Sequence, residues 1–196
     1  WATIPEITKA SGDGVPGGSI WSPAMCDAPL RDHSWFWHPN EEDKIESLDS
    51  LMEMYYKSVG RNCDLILGIT PDTRGLVPEP DVKRMREFGR EIRRRFGQPV
   101  AVTDGRGSTV ELELPRPQKI DHVSIMEEID HGERVREYVV EGLVDGGKWE
   151  KLCEGISIGH KRIQRFEPRK VARVRLRVTE AVAEPLIRYL ATYSVD

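Results

Sequence analysis

The hydrophobic pattern of this chain changes its period near Gln98, and that change limits the folds that the sequence can adopt. After Gln98, apolar residues alternate with polar ones, most clearly over residues 110–114 and 173–178. Turn-forming residues separate the alternating segments: Pro115 and Pro117, His131 with Gly132, and Asp145, Gly146 and Gly147. Several short alternating segments at this spacing are typical of an antiparallel β-sandwich, which we predict for residues 98–196. The alternating Glu and Arg residues are expected to form its solvent-exposed face.

Before Gln98 the apolar residues follow the helical period of 3.6. Ser47 is a suitable N-cap for a helix that ends near Gly60, and a second amphipathic helix over residues 82–96 ends at Gly97. Between them, residues 64–70 form a short apolar run that is typical of a buried parallel strand. This order of elements predicts an α/β layer over residues 1–97. Because a parallel strand needs neighbours on both sides, we expect other protein to complete the layer.

A tryptophan-rich loop lies between residues 21 and 38 and carries three of the five tryptophans. Carboxylates, an arginine and two histidines are interspersed with these aromatic side chains. Aromatic faces beside polar groups are suited to sugar binding, because the rings stack on CH surfaces while the polar groups fix hydroxyls. The alternative is a loop that simply packs against a core. The following residues, 38–44, predict a solvated turn rather than a metal site.

Composition excludes several other classes of function. The net charge is −4 and basic residues are interleaved with acidic ones, so we expect no nucleic-acid partner. No apolar run is long enough to cross a bilayer, and no membrane partner is expected. The three cysteines, Cys26, Cys63 and Cys153, are widely separated and lack metal-site spacing, so we predict small buried residues and neither a metal nor another cofactor. The first residue is Trp rather than Met, and we expect the chain to be part of a longer protein.

Two segments of the first half resemble a known family. They are WSPAMCDAPLRDHSWFWHPNEED and LDSLMEMYYKSVGRNCDLILGITPDTRGLVPEPDVKRMREFG. They are similar to the C-terminal part of the catalytic (β/α)8 barrel of family 29 glycoside hydrolases, the α-L-fucosidases. The second half, with ELELPRPQKIDHVSIMEEIDHGERVREYVVEG and KWEKLCEGISIGHKRIQRF, is similar to the galactose-binding, discoidin-like jelly roll that follows the barrel. The resemblance covers residues 18–193.

The resemblance implies an enzyme that removes terminal α-L-fucose with retention of configuration. The nucleophile of that family is an aspartate on an earlier strand, and we expect it upstream of Trp1, so that this chain alone is inactive. The general acid is expected upstream as well. The alternatives are the glutamate position of the tryptophan loop, which is Met25 here and cannot donate a proton, and Glu6.

The resemblance also indicates substrate-binding residues. Trp21 and Trp35 match family tryptophans and are expected to stack on fucose. Candidate neighbours in the same loop are Met25, Asp27, Arg31 and His38, with the alternative that Asp27 and Arg31 form an internal ion pair that fixes the loop. Asp72 and Gly75 are predicted turn residues. Gly68 replaces a family asparagine and Trp37 a tyrosine, and both changes are expected to alter the pocket.

The second half leaves two alternatives open. It could bind carbohydrate through Trp149, His131 and His160, or it could brace the barrel and support a homo-oligomer. The predicted partners are the remainder of the barrel and a fucosylated oligosaccharide. The family suggests a periplasmic or secreted location, which the residues themselves neither support nor exclude.

Overall fold

The computed structural model describes residues 25–195, which form eight strands and two α-helices. The first part contains β1 (Met25–Pro29), α1 (Leu48–Lys57), β2 (Asp64–Gly68) and α2 (Glu79–Phe96). The second part contains β3 (Ala101–Arg106), β4 (Thr109–Glu127), β5 (Val135–Leu143), β6 (Trp149–Gly155), β7 (Arg162–Ala181) and β8 (Leu186–Tyr193). None of the helices in the described part is long and apolar enough to cross a membrane.

Strands β1 and β2 form a two-stranded parallel sheet, as the apolar run at residues 64–70 predicted for β2. Met25 pairs with Asp64 and Pro29 with Gly68. The helices cover one face of this sheet, where Leu65 and Leu67 pack against the cluster of buried residues Leu30, Leu51, Met52, Tyr55, Tyr56, Phe88 and Ile163. On the other face Ile66 is 47% exposed, so the described residues bury this sheet on one side only.

The helices begin and end close to the predicted residues. Ser47 caps α1 by accepting a hydrogen bond from the Ser50 backbone N–H at 3.0 Å. Helix α1 ends at Lys57 rather than at Gly60, because the Ser58 hydroxyl donates to the Met54 carbonyl and the chain then turns. A Cβ at position 60 would lie 2.5 Å from the Tyr56 carbonyl oxygen, so this turn requires glycine.

The second part is an antiparallel sheet with the strand order β3-β8-β4-β7-β5-β6. It is one six-stranded sheet that curls on itself, whereas the sequence predicted a sandwich of separate strands with turns at Pro115 and Pro117. Both prolines instead lie inside the 19-residue strand β4. Proline cannot donate to the ladder, and the pairing of β4 with β7 is interrupted between Glu113 and Gln118. The two prolines therefore bend a continuous strand rather than end it.

The curled sheet encloses one hydrophobic core. Its buried side chains come from β4, β5, β7 and β8 and from the loop residue Ile158. On the outer surface Glu111, Glu113, Arg173 and Arg177 are exposed, as the alternation predicted. Arg175 is half-buried, since its guanidinium lies 4.2 Å from the centre of the Trp149 ring and 2.8 Å from Glu141. The core thus forms on the inner surface of the curl.

Buried polar contacts join α1 and α2 to the antiparallel sheet. The Tyr56 hydroxyl lies 2.9 Å from His122 Nε2, and His122 Nδ1 lies 2.6 Å from Asp121. Arg95 donates to the same hydroxyl at 3.1 Å. Because a carboxylate only accepts, His122 donates to Asp121 through its Nδ1–H. These contacts hold the helices against β4.

Candidate functional site

The carboxyl ends of β1 and β2 lie side by side and begin the two loops that carry most of the candidate residues. The Leu30 N–H donates to the Gly68 carbonyl at 2.9 Å and so extends the pairing to the end of the sheet. Loop L1, residues 30–47, follows β1, and loop L2, residues 69–78, follows β2. In parallel α/β folds, ligands bind at this end of the sheet, because the loops there converge above the strands.

Trp35 of loop L1 lies against the backbone of Gly68. A Cβ at position 68 would be 3.3 Å from Trp35 Cζ3, which is tighter than an ordinary contact. The absence of a side chain at Gly68 therefore lets the indole approach the end of β2 closely. Trp35 is still 51% exposed, so part of its ring is open to a ligand. Trp35 and Gly68, which the sequence identified for separate reasons, are therefore in contact.

Arg31 is buried, with 2% exposure, and forms two hydrogen bonds with the carboxylate of Asp81 at 3.1 and 2.8 Å. Asp81 lies in the first turn of α2 and is also buried. The hydrogen bonds from Arg31 to Asp81 raise the pKa of Arg31, against the opposing effect of burial. The predicted loop-fixing ion pair thus exists, but its acid is Asp81 rather than Asp27. This pair ties loop L1 to α2, and the ligand contact expected of Arg31 stays a prediction.

Met25, Asp27 and Ile66 lie on the sheet face opposite the helices. The strand pattern places them there, because Cys26, Ala28, Leu65 and Leu67 alternate with them and are less exposed. Asp27 is exposed and pairs in register with Ile66, one step of the pleat from Gly68 on the same face. Within residues 25–195, Asp27 has neither a hydrogen bond nor an ion pair from its side chain, so the carboxylate is available to a ligand.

Met25 and His38 are less favourably placed than Asp27 and Trp35 to bind a ligand on the open face of the parallel sheet. Met25 starts β1, and four residues of strand separate it from Pro29 by about 13 Å. His38 is exposed in the middle of loop L1. Trp21 lies outside the described residues. The structure therefore brings Trp35 and Asp27 to one face of the sheet, while Met25 is at its other end.

Loop L1 is held by backbone and ionic contacts that fix its course. The Asp32 N–H donates to the Lys44 carbonyl at 2.8 Å, and the Glu46 N–H donates to the Leu30 carbonyl at 2.9 Å. Lys44 Nζ lies 2.6 Å from Glu41, and this hydrogen bond lowers the pKa of Glu41. A short 3-10 turn at Glu42–Lys44 completes the segment. The predicted solvated turn is thus confirmed, and Lys44 pairs with Glu41 within it.

Loop L2 forms the turn that the sequence predicted. The Asp72 carboxylate accepts from the Arg74 N–H at 2.8 Å and pairs with the Arg74 guanidinium at 2.7 Å, which lowers the pKa of Asp72. Gly75 has a φ of 75°, in the left-handed region. Beyond this turn Leu76 is exposed, as is Phe36 in loop L1. No sequence pattern identifies either residue as a surface residue, because only their exposure distinguishes them from core residues.

The alternative sugar site of the second part is not assembled. Strand β5 starts at Val135, close to the turn that contains His131, and ends at Leu143, which pairs with Trp149. The eight residue steps between these ends span about 26 Å. His160 lies at the His131 end, because Arg188 contacts both His160 and the Glu127 carbonyl. Trp149 is therefore far from both histidines, and Arg175 stacks on its ring.

The comparisons with known proteins agree on one class. No protein-family profile matches the chain. The α-L-fucosidase 1 of Arabidopsis thaliana is 31% identical over 97% of this chain and 44% of its own length. A crystal structure from Bacteroides thetaiotaomicron, assigned to the α-L-fucosidases, is 46% identical with a TM-score of 0.90, over 93% of this chain and 43% of that one. A Ruminococcus gnavus GH29 fucosidase in complex with fucose has 26% identity and a TM-score of 0.80, over 92% and 43%.

The class shared by these relatives is the glycoside hydrolases. More narrowly, the chain is similar to the C-terminal part of the α-L-fucosidases of glycoside hydrolase family 29, and the resemblance inferred from its motifs is confirmed. The relatives match nearly all of this chain, whereas the chain spans less than half of their length.

Proposed function

We propose that this chain is the C-terminal portion of a retaining α-L-fucosidase that hydrolyses terminal α-L-fucose from fucosylated glycans. The observation that carries this proposal is the similarity to α-L-fucosidases along 92–97% of the chain. In this account the nucleophilic aspartate belongs to polypeptide upstream of Trp1, and residues 1–196 alone do not catalyse the reaction. The upstream polypeptide is then the main partner of this chain.

The two-stranded sheet supports a barrel that other strands complete. Its helix-covered face is packed, while its opposite face exposes Met25 and Ile66. In a (β/α)8 barrel, helices cover the outside of the strands and the other face lines the interior, which side chains fill. We therefore assign β1 and β2, with α1 and α2, to the C-terminal segment of a catalytic barrel within residues 1–97, followed by a discoidin-like domain within residues 98–196.

Trp35 and Asp27 are the described residues best placed to bind the sugar. The open part of the Trp35 ring offers a flat apolar surface to the CH groups and the methyl group of fucose. The exposed Asp27 carboxylate can accept hydrogen bonds from sugar hydroxyls. Both lie on the face of the sheet that would point into the barrel. Trp21 and His38 remain candidate substrate contacts.

The general acid is best assigned to the upstream polypeptide. A retaining glycosidase needs two carboxyl groups about 5 Å apart, one as nucleophile and one as acid and base. Met25, at the family glutamate position, carries no proton to donate and starts β1 at the amino end of the sheet. Glu6 lies outside the described residues. The proposal therefore places both catalytic carboxyl groups before Trp1.

Residues 98–196 serve, in this account, to brace the barrel. Three observations support this assignment. Tyr56 contacts His122, Glu53 forms an ion pair with Arg165, and Ile163 of β7 packs among the buried residues of the helix-side cluster, which lies between the parallel sheet and its two helices. The sugar-binding alternative lacks a comparable assembly of residues, since Trp149 and the two histidines lie at opposite ends of β5.

The test is hydrolysis of an aryl α-L-fucoside by the longer polypeptide that contains this chain. The expected products are the free aryl alcohol and, by NMR of the first turnover, the α-anomer of fucose. Trp35→Ala is expected to lower kcat/KM by about 10- to 100-fold, because it removes the stacking surface. The matched control is Val182→Ala, which shortens an exposed apolar side chain in the turn between β7 and β8. Its kcat/KM should stay within about twofold of the wild-type value. The absence of hydrolysis, or the β-anomer, would refute the proposal.

A further inference from the structure

Cys26 and Cys63 bring their thiols together beside the parallel strand pair. Cys26 lies in β1, and Cys63 comes directly before β2. The parallel register places Met25 beside Asp64, so Cys63 is a diagonal neighbour of Cys26 across the two strands. The two Sγ atoms are 3.0 Å apart. A disulfide has an S–S distance of about 2.05 Å, so side-chain movements of about 1 Å would suffice to form the bond.

The backbone around both cysteines is fixed by hydrogen bonds. The Cys63 N–H donates to the Ser58 carbonyl at 3.1 Å, and the Asn62 N–H donates to the Lys161 carbonyl at 2.8 Å. Cys26 is held by the β1–β2 ladder. The third cysteine, Cys153, lies in β6 and packs against the core of the antiparallel sheet. The fold therefore selects one pair out of three possible pairs.

We propose that Cys26 and Cys63 form a dithiol–disulfide pair that crosslinks β1 to the connection between α1 and β2. With a small-molecule disulfide such as oxidised glutathione, the first cysteine thiolate attacks one glutathione sulfur and releases a glutathione thiolate. The second cysteine thiolate then attacks the cysteine sulfur of the mixed disulfide, which forms the Cys26–Cys63 bond and releases the second glutathione thiolate. The protein loses two electrons and two protons, and the two glutathione molecules gain them as thiols.

The bond would enclose residues 27–62 in a covalent loop that contains loop L1 and α1. Closing such a loop restricts the unfolded chain and so stabilises the folded one. Formation is expected to be slow at neutral pH, because burial and the hydrogen bond with Cys26 raise the pKa of the Cys63 thiol to about 12. This inference does not depend on the proposed fucosidase activity.

The test is thiol mapping of the full chain after incubation in a buffer of oxidised and reduced glutathione. After alkylation and trypsin cleavage, the expected product is a crosslink between the peptide of residues 10–31 and that of residues 62–74. The oxidised chain should be 2 Da lighter than the reduced one and unfold about 5–15 °C higher. The same incubation in denaturant should give a mixture of all three cysteine pairs.

Two variants provide the controls. Cys153→Ser is expected to give the same crosslinked peptide and the same rise in Tm. Cys26→Ser is expected to abolish the crosslinked peptide and the rise in Tm, and to leave the Cys63 thiol free to react with the alkylating reagent. Alkylation of all three cysteines in the native chain, or a native crosslink that contains Cys153, would overturn the proposal.

Discussion

At the scale of single residues, the buried ion pair between Arg31 and Asp81 ties the tryptophan-rich loop to α2. The two residues are 50 positions apart in sequence, and both side chains are almost fully buried. A buried charge without its partner is strongly unfavourable, because burial removes its hydration. The position of Trp35, four residues after Arg31, therefore depends on a contact made with α2.

Asp81→Asn tests this dependence. The substitution leaves the buried Arg31 guanidinium without an opposite charge, and we expect the free energy of unfolding to fall by about 3–5 kcal/mol. Urea denaturation followed by circular dichroism measures the change. Asp32→Asn is the matched control, since Asp32 is exposed and, among residues 25–195, its carboxylate pairs only with the exposed His33. This substitution should change stability by less than about 0.5 kcal/mol. Equal effects of the two substitutions would contradict the assigned role.

Glu91 gives this chain a pH-dependent contribution to stability. Hydrogen bonds from Arg94 and then Arg95 lower its pKa from 4.5 to about 2 in the folded state. A lowered folded-state pKa stabilises the fold above the unfolded value and loses that effect as the pH falls towards 2. The Tm of the wild-type chain should therefore exceed that of Glu91→Gln at pH 6, and the difference should shrink below pH 4.5 and vanish near pH 2.

Thermal unfolding of both proteins between pH 2 and 6 checks this dependence. Glu79→Gln is the control, because Glu79 is exposed at the start of the same helix and lies 3.8 Å from Arg86. Its Tm difference from the wild type should be small. A Glu91→Gln difference that is constant over the whole range would contradict the assignment.

At the scale of elements, the curl of the antiparallel sheet depends on the two long strands. β4 and β7 contain 19 and 20 residues, and their pairing shifts at two places. Pro115 and Pro117 lie at one shift, and Pro168 lies near the other. Both strands continue past these points, so β4 also pairs with β8 through residues 122–127 and β7 also pairs with β5 through residues 173–181. The core is therefore enclosed by one bent sheet rather than by two separate ones.

Gly142 in β5 is required by the packing inside the curl. A Cβ there would lie 2.5 Å from Val171 Cγ1 and 3.2 Å from a methyl group of Leu152. Gly142→Ala is expected to cost about 1–3 kcal/mol of unfolding free energy, measured in urea. Combined with Val171→Ala it should cost less than the sum of the two single changes, because the added methyl then fills the space that Val171 leaves.

Gly89→Ala is the matched control for this prediction. Gly89 lies within α2, and a Cβ there would meet the end of the flexible Arg93 side chain at 3.6 Å and nothing closer in the described part of the chain. Alanine favours the helix over glycine, so stability should rise by about 0.5–1 kcal/mol. Additive effects of Gly142→Ala and Val171→Ala would contradict the assigned contact.

The elements were predictable from sequence to the extent that local patterns determine them. Ser47 and Gly97 mark helix ends through backbone chemistry that needs no distant partner. The alternation in residues 110–114 identified the buried face of β4 for the same reason. The sequence predicts a turn at Pro115 where the strand only bends, because a proline that bends a strand and one that ends it give the same pattern until the partner strand is known.

At the scale of the whole molecule, the helices and the antiparallel sheet are joined by contacts distant in sequence. Tyr56 meets His122, and Glu53 pairs with Arg165. Neither pair has a spacing that sequence patterns reveal, and the same holds for Arg31 with Asp81 and for Cys26 with Cys63. Sequence motifs were sufficient to name the candidate sugar-binding residues. The register of β1 and β2 was needed to show that Trp35 lies at the carboxyl end of this sheet and Met25 at its other end.

The exposed face of the parallel sheet bears most directly on the function of the whole molecule. Met25, Asp27 and Ile66 form this face, and none of them packs in the helix-side cluster. A sheet of two strands with one open face is marginal on its own, because too little apolar surface is buried. The account therefore requires neighbouring strands from upstream polypeptide to cover this face and to supply the catalytic carboxyl groups.

The most direct test compares the hydrolysis of an aryl α-L-fucoside by residues 1–196 alone and by the longer polypeptide that includes them. The account predicts hydrolysis by the longer polypeptide and no release of the aryl alcohol above background by residues 1–196. Hydrolysis by residues 1–196 at a comparable kcat/KM would contradict it, since a nucleophile would then lie within this chain.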